Sequence, residues 1–270
     1  MNNKEERELL PANNAGLKLI PQILTDDGNE LLRYEKVMHD LGYPEININI
    51  GCPSGTVSSK GRGAGFLGRK EDLDTFLEIV YTKKTGPVSV KTRVGIENVE
   101  EFYEILEIYN KYPIDELIIH PRTLKQFYRG VADREIFLYA LEHSKNPLVY
   151  NGDIWTVEDL NSLKGVAKSR CPGKEFDLMI GRGIIADPGL FRKIRTHKRA
   201  SAEEIRSLIY EIEKGYLTYV QGEAQVVFRM KEIWTYLGML LKNDKLLKKI
   251  KKSKTLDEMH GFMEMLLSEY

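Results

Sequence analysis

Six short, largely apolar runs alternate with helix-like segments over the first two thirds of this chain, and each run ends in polar or glycine residues. The runs cover 17–24, 45–51, 87–93, 116–120, 147–150 and 176–180. Helical patterns are expected over about 29–41, 71–84, 99–112 and 134–143, after Thr156, and in a short piece from Pro188. Apolar runs with almost no period-2 relief predict strands buried on both faces, hence a parallel sheet covered by helices. The expected fold is therefore α/β, a (β/α) barrel. The polar residues then share one rim, formed by the strand carboxyl ends, which is where such barrels place their chemistry. They are Gln22, Asn49 and Cys52, Lys91 and Arg93, His120 and Arg122, Asn151 and Asp153, and Gly181 and Arg182.

The second run is the most distinctive. Asn47 and Asn49 share one face of it, while Ile46, Ile48 and Ile50 share the other. It ends in Gly51-Cys52-Pro53, followed by glycines at 55, 61, 63 and 65 that let backbone pass close to a bound group. An amide pair, a thiol and bare backbone in one loop point to a site. Cys171, in Arg-Cys-Pro-Gly, has no polar partner in sequence and is read as inert.

From about Ser201 only helical patterns occur, near 201–219, 222–242 and 255–270. Ser201 with Glu204, Thr255 with Glu258 and, earlier, Thr156 with Asp159 stand at capping-box spacing. The expected domains are a barrel over 1–196 and a helical domain over 197–270. Net charge is zero over 270 residues, yet 190–254 carries 16 Lys and Arg against 7 Asp and Glu. A basic carboxy-terminal third suits a polyanion, with a solvated helical surface as the plain alternative. No apolar run of about 18 residues and no secretory signal pattern occurs, so no membrane span is expected. Two cysteines suit a reducing cytoplasm. No His/Cys cluster has metal-ligand spacing, and nothing in the sequence fixes an oligomeric state.

Five motifs occur in one order: Gly51-Cys-Pro53 with its glycine loop, Val90-Lys-Thr-Arg93, Ile119-His-Pro-Arg-Thr123, Asn151-Gly-Asp-Ile154 and Ile180-Gly-Arg-Gly183. Together they resemble the tRNA-dihydrouridine synthases, flavin enzymes with a TIM barrel and a carboxy-terminal helical domain. Phe228-Arg-Met-Lys-Glu-Ile-Trp-Thr-Tyr236 looks like a signature of that second domain. Two departures stand out. The two strands that precede residues 17–24 in the family, the first carrying an Ala-Pro-Met segment, are not found, so the barrel is expected to be incomplete, with six strands. Pro121 also stands where the family usually has glycine.

The resemblance implies FMN as cofactor, NADPH as reductant (NADH is the alternative, since no nicotinamide signature occurs) and tRNA as partner. It implies reduction of uridine to 5,6-dihydrouridine, with hydride to C6 and a proton to C5 from Cys52, which need only be a neutral thiol. A buried structural cysteine is the alternative. Lys91 would face the flavin N1/O2 edge, or else pair with Asp153. Gln22 and His120 would serve the flavin, with a core role as the alternative for His120. Asn151, Gly152, Asp153, Gly181 and Arg182 would serve its phosphate. Asn49, Arg93, Arg122, Arg229, Lys231 and the lysines over 242–254 are candidates for base or tRNA phosphate. Trp234 and Tyr236 are read as bundle core. Two other functions are weighed: a tRNA-binding protein without catalysis, and a free-pyrimidine flavin oxidoreductase resembling dihydroorotate dehydrogenase. The basic helical third argues against the second.

Overall fold

The computed structural model describes residues 3–270. The chain divides into two compact units. One holds the residues up to Gly152 together with Leu163–Met179, and the other holds Asp153–Ser162 together with Ile180–Tyr270.

In the first unit α1 (Asn3–Leu9) is followed by β1 (Gln22–Ile23), α2 (Gly28–Asp40), β2 (Ile46–Ile50) and a single turn, α3 (Gly55–Ser58). Then come α4 (Lys70–Lys83), β3 (Val88–Arg93), α5 (Glu101–Tyr109), β4 (Leu117–His120), α6 (Arg134–His143), β5 (Leu148–Tyr150), α7 (Val157–Arg170), whose residues up to Ser162 are grouped with the second unit, and β6 (Asp177–Leu178). The six strands form one sheet in sequential order, and every pairing is parallel. This is (β/α)-barrel topology, as the alternating runs predict.

Both faces of the central strands are covered. Ile46, Ile48, Ile50, Val88, Val90, Leu117 and Ile119 are fully buried, as are Leu31, Leu73, Leu77, Phe102 and Phe137 from the helices. Burial on this scale contributes about 1.5–3 kcal/mol per side chain. Asp27 caps α2 by accepting from the N–H groups of Asn29 and Glu30, and Asp133 caps α6 in the same way.

The first strand is much shorter than the apolar run 17–24 suggests. Only Gln22 and Ile23 pair, and Leu17 is 68% exposed. Pro21 accepts from Asn47 N–H but has no N–H of its own to extend the ladder. Likewise only Asp177 and Leu178 of the run 176–180 are paired.

The second unit contains α8 (Arg182–Ala186), α9 (Leu190–Thr196), α10 (Ala202–Tyr219), α11 (Glu223–Leu241), α12 (Asp244–Lys252) and α13 (Leu256–Leu267). Its core gathers Ile205 and Ile209, Val226, Met230, Trp234 and Leu237, Leu246, Leu247 and Ile250, and Met259 and Met263. Trp234 is completely buried, as read from the sequence. The Ser201–Glu204 box is formed in both directions. So is that of Thr156 and Asp159. At Thr255 only half forms, because the Glu258 carboxylate takes the N–H of Lys254 instead.

Two stretches differ from expectation. Gly181-Arg-Gly183 opens a short helix, α8, ahead of the helical piece expected from Pro188. The lysine-rich stretch is a helix, α12, because Leu246, Leu247 and Ile250 recur on one face and anchor it to the core. Lys245, Lys248, Lys249, Lys251 and Lys252 fill its exposed face, and Asn243 caps it at Leu246 N–H. Among the described residues no helix is long and apolar enough to cross a membrane.

Candidate active site

The sheet register decides which candidates meet. Gln22 lies opposite Asn47, Asn49 opposite Lys91, Lys91 opposite Ile118, and Arg93 opposite His120. Gln22, Asn49, Cys52, Lys91, Arg93 and His120 therefore lie at or just beyond neighbouring strand carboxyl ends, all in the first unit.

Cys52 is half-buried and its position is set by backbone. Its N–H and that of Gly51 both donate to Asn49 Oδ1, each at 3.0 Å. Its carbonyl accepts from Ala64 N–H at 3.0 Å. Gly63 is needed where the loop returns: its φ is +54°, and a Cβ there would stand 2.8 Å from the Cys52 carbonyl oxygen. The loop is tied down at its far side by Asp26, which takes both Arg62 Nε and Arg69 Nη2 at 2.8 Å. Asn49 Nδ2 in turn donates to Gln22 Oε1 at 2.7 Å.

Lys91 lies on the inward face of β3, between Ser89 and Arg93, half-buried, with no hydrogen bond or ion pair among the described residues. Burial, and to a lesser degree the Arg93 charge, pulls it down to about 8. His120 is 7% exposed, and its Nδ1 faces the carbonyl oxygen of Asn151. Burial pushes it down to about 3 against that hydrogen bond, aided by the charges of Arg93, Lys91 and Arg122. Its other nitrogen, Nε2, is buried with no hydrogen-bond partner. A buried polar atom of this kind is costly unless something fills its bond. An unpartnered cation and a bare imidazole nitrogen near neighbouring strand ends fit a polar ligand that offers both an electron-rich edge and an N–H or O–H donor, as a flavin does.

Arg93 and Arg122 are not open phosphate binders. Arg93 is 2% exposed and donates to the carbonyls of Gly51 and Thr123 at 3.0 and 2.8 Å, with its guanidinium 5.5 Å from the Tyr128 ring centre. Arg122 is 1% exposed and donates to the carbonyls of Arg129 and Gly130 at 3.3 and 2.7 Å. Each guanidinium braces the loops around the site. Asn151 Nδ2 donates to Met179 O at 2.8 Å, joining the ends of β5 and β6. Asp153, Gly181 and Arg182 belong to the second unit, where Arg182 Nη2 meets Asp153 Oδ1 at 3.0 Å and its guanidinium stands 5.3 Å from the Trp155 ring. In that unit Arg229 is exposed and Lys231 half-buried on α11. A cavity of about 730 Å³ there, lined among others by Leu190, Lys193, Arg199, Met239 and Lys242, contains none of the residues assigned to flavin or uracil.

Two participants have no role assigned from the sequence: Asn47, read there only as half of an amide pair with Asn49, and Ser89, a plain serine in β3. Both are buried. Polar residues on the inward face of strands otherwise apolar are the signal that points to them. Cys171 is buried with its Sγ near the Leu138 carbonyl, and burial raises its thiol pKa, in keeping with an inert role. Among the described residues no His, Cys, Asp and Glu cluster is arranged to hold a metal.

A family model described as Dihydrouridine synthase (Dus) matches residues 1–263. The chain is 33% identical over 211 residues to the tRNA-dihydrouridine(16) synthase of Pseudomonas syringae pv. tomato, covering 77% of this chain and 64% of that protein. It is 30% identical over 210 residues to the enzyme of the same name from Haemophilus influenzae, covering 74% and 63%. It is 34% identical over 177 residues to a probable tRNA-dihydrouridine synthase of Staphylococcus epidermidis, covering 63% and 51%. The matches thus span between about half and two thirds of these curated relatives.

Proposed function

Because this chain belongs to the dihydrouridine synthase family, we propose that it reduces a uridine of tRNA to 5,6-dihydrouridine, with Cys52 delivering the proton to C5. The observation that carries the reading is the grouping on one sheet of a cysteine whose backbone N–H is held by Asn49, an unpartnered Lys91 and an orphaned His120 Nε2.

FMN, reduced by NADPH, supplies the hydride for C6 when bound. Lys91 would hold its electron-rich N1/O2 edge, where a fixed positive charge offsets negative charge. Gln22, His120, Asn151 and Gly152 are the other residues of the first unit assigned to it. His120 serves as a neutral acceptor through Nε2. Asn49 Oδ1 already accepts two N–H groups, so toward a base or flavin Asn49 offers only the second hydrogen of Nδ2, a donor suited to a carbonyl oxygen. Cys52 acts as the neutral thiol, which is the form that carries the proton. On the tRNA side Arg229, Lys231 and the lysine face of α12 are assigned to backbone phosphates. A uracil that is to meet the thiol has to leave its stack, and phosphate contacts offset that cost.

The test is the visible absorbance of the purified chain together with turnover of tRNA lacking dihydrouridine. The expected result is a yellow protein carrying about one FMN. Cys52→Ala should keep the flavin and lose uridine reduction. A colourless protein that takes up no added FMN, yet binds tRNA in a salt-sensitive way, would overturn the catalytic reading in favour of RNA binding alone.

A further inference from the structure

We propose that Asn47 and Ser89 are positioning residues for Cys52, acting through Gln22 and Asn49 in one chain of hydrogen bonds whose donor-to-acceptor sense is fixed along its length. The proposal deepens the reading of Cys52 as proton donor and rests on it.

The chain starts at backbone. The N–H groups of Gly51 and Cys52 can only donate, so the Asn49 atom that faces both, at 3.0 Å, has to be the carbonyl oxygen. That sets the amide nitrogen of Asn49 toward Gln22, whose facing atom at 2.7 Å then has to be Oε1. Gln22 is thereby oriented with Nε2 toward Asn47, where it meets Oδ1 at 2.7 Å. Asn47 has only its Nδ2 left, which donates to Ser89 Oγ at 2.9 Å. The Ser89 hydroxyl hydrogen is left to point at the Ile46 carbonyl, 3.3 Å away. No amide in the series can turn over without breaking two bonds.

Sheet register places the three outer members together. Gln22, Asn47 and Ser89 are direct partners across β1, β2 and β3, one rung of the ladder, while Asn49 sits one inward-facing position further along β2. Asn47 and Ser89 are 5% and 1% exposed, so water is a poor substitute for either partner. A chain of bonds with one sense, buried at its far end, rigidifies what it ends on. What it ends on is the turn that carries the thiol.

The test uses the full chain with FMN. Alkylation of Cys52 by iodoacetamide, followed by mass spectrometry of the Cys52 peptide across pH, reads the thiol's position without relying on activity. Uridine reduction is measured in parallel. Ser89→Ala and Asn47→Leu are expected to change the alkylation rate at least about threefold and to lower kcat about tenfold or more, with KM for tRNA unchanged. Ser89→Thr, which keeps the hydroxyl, should restore both readouts. Variants that merely melt earlier, with the alkylation profile and kcat of the folded protein unchanged, would overturn the proposal. If alkylation shifts but kcat does not, the chain positions Cys52 as stated and it is the proton-donor role of Cys52 that fails. Should Asn47→Leu not fold, Ser89→Ala with its threonine control decides alone.

Discussion

The Nδ1 of His120 lies 2.5 Å from the carbonyl oxygen of Asn151, and this contact settles which hydrogen the ring carries. A carbonyl only accepts, so Nδ1 bears the proton. With the ring pushed down to about 3, Nε2 is bare at neutral pH and acts as an acceptor. The residue that follows the motif's histidine is unimportant to this arrangement. Pro121 lacks an N–H but leaves the His120–Asn151 contact in place.

A pH-dependent stability follows. In the unfolded chain His120 takes a proton below about 6.5, whereas the folded protein resists it down to about 3. The stabilisation is therefore complete above 6.5 and is lost as pH falls toward 3, at about 1.4 kcal/mol per unit. Between pH 6.5 and 5 the native protein should lose roughly 2 kcal/mol more than His120→Phe, measured by urea unfolding. Equal losses would mean that the ring is protonated when folded.

Lys91 carries the opposite kind of strain. Its ammonium is disfavoured by burial, with a folded value of about 8 against about 10.4 unfolded. The penalty is fully present below pH 8 and disappears as pH rises to about 10.4. Lys91→Met should thus stabilise the flavin-free protein at pH 7 by on the order of 1–3 kcal/mol, with no gain near pH 10.5. The same variant should lose FMN. Thermal melts of flavin-free protein at the two pH values, with flavin content measured separately, check both halves. Destabilisation at pH 7 would reveal an anionic partner.

Gly63 tests how tightly the thiol is held. Its φ is +54°, and a methyl there would meet the Cys52 carbonyl oxygen at 2.8 Å and Cβ at 2.9 Å. Gly42 has φ +90° with open space where a methyl would stand, so Gly42→Ala carries backbone strain alone. Gly42→Ala should cost about 1–2 kcal/mol, and Gly63→Ala more, because the clash adds to the strain. Only Gly63→Ala should alter Cys52 alkylation and uridine reduction. Parallel behaviour of the two would show that the loop yields without moving the thiol.

Strand order and the rim of polar residues were legible because each depends on local pattern: apolar runs of strand length, ended by Gln22, Asn49, Lys91 and His120. The length of β1 was not, since a run such as 17–24 does not reveal that Pro21 blocks its own pairing. The fate of Arg93 and Arg122 was equally hidden. An arginine that will brace carbonyls and one that will meet phosphate have the same sequence, and only loop geometry separates them. Asn47 and Ser89 belong to a third kind, where the signal was present as buried polarity but its meaning required register across three strands. In α12 the dense lysines masked a helix whose three apolar residues suffice to anchor it.

That helix supplies the last prediction. Lys245, Lys248, Lys251 and Lys252 are exposed on α12, while Lys249 stands 5.2 Å from the Phe262 ring and is partly tied to the bundle. If the four meet tRNA phosphates, each releases a counterion on binding, and affinity falls steeply with salt. Replacing all four by glutamine keeps good helix formers and leaves Leu246, Leu247 and Ile250 to hold the helix in place, so melting should change little. The slope of log affinity against log salt should flatten by roughly 0.7–0.9 for each lysine that touches phosphate. FMN content should stay constant, because α12 contributes no residue assigned to the flavin. Filter binding of tRNA at several salt concentrations gives the slope directly. An unchanged slope would make this face an ordinary solvated surface, and the polyanion contacts would then fall to Arg229 and Lys231 on α11.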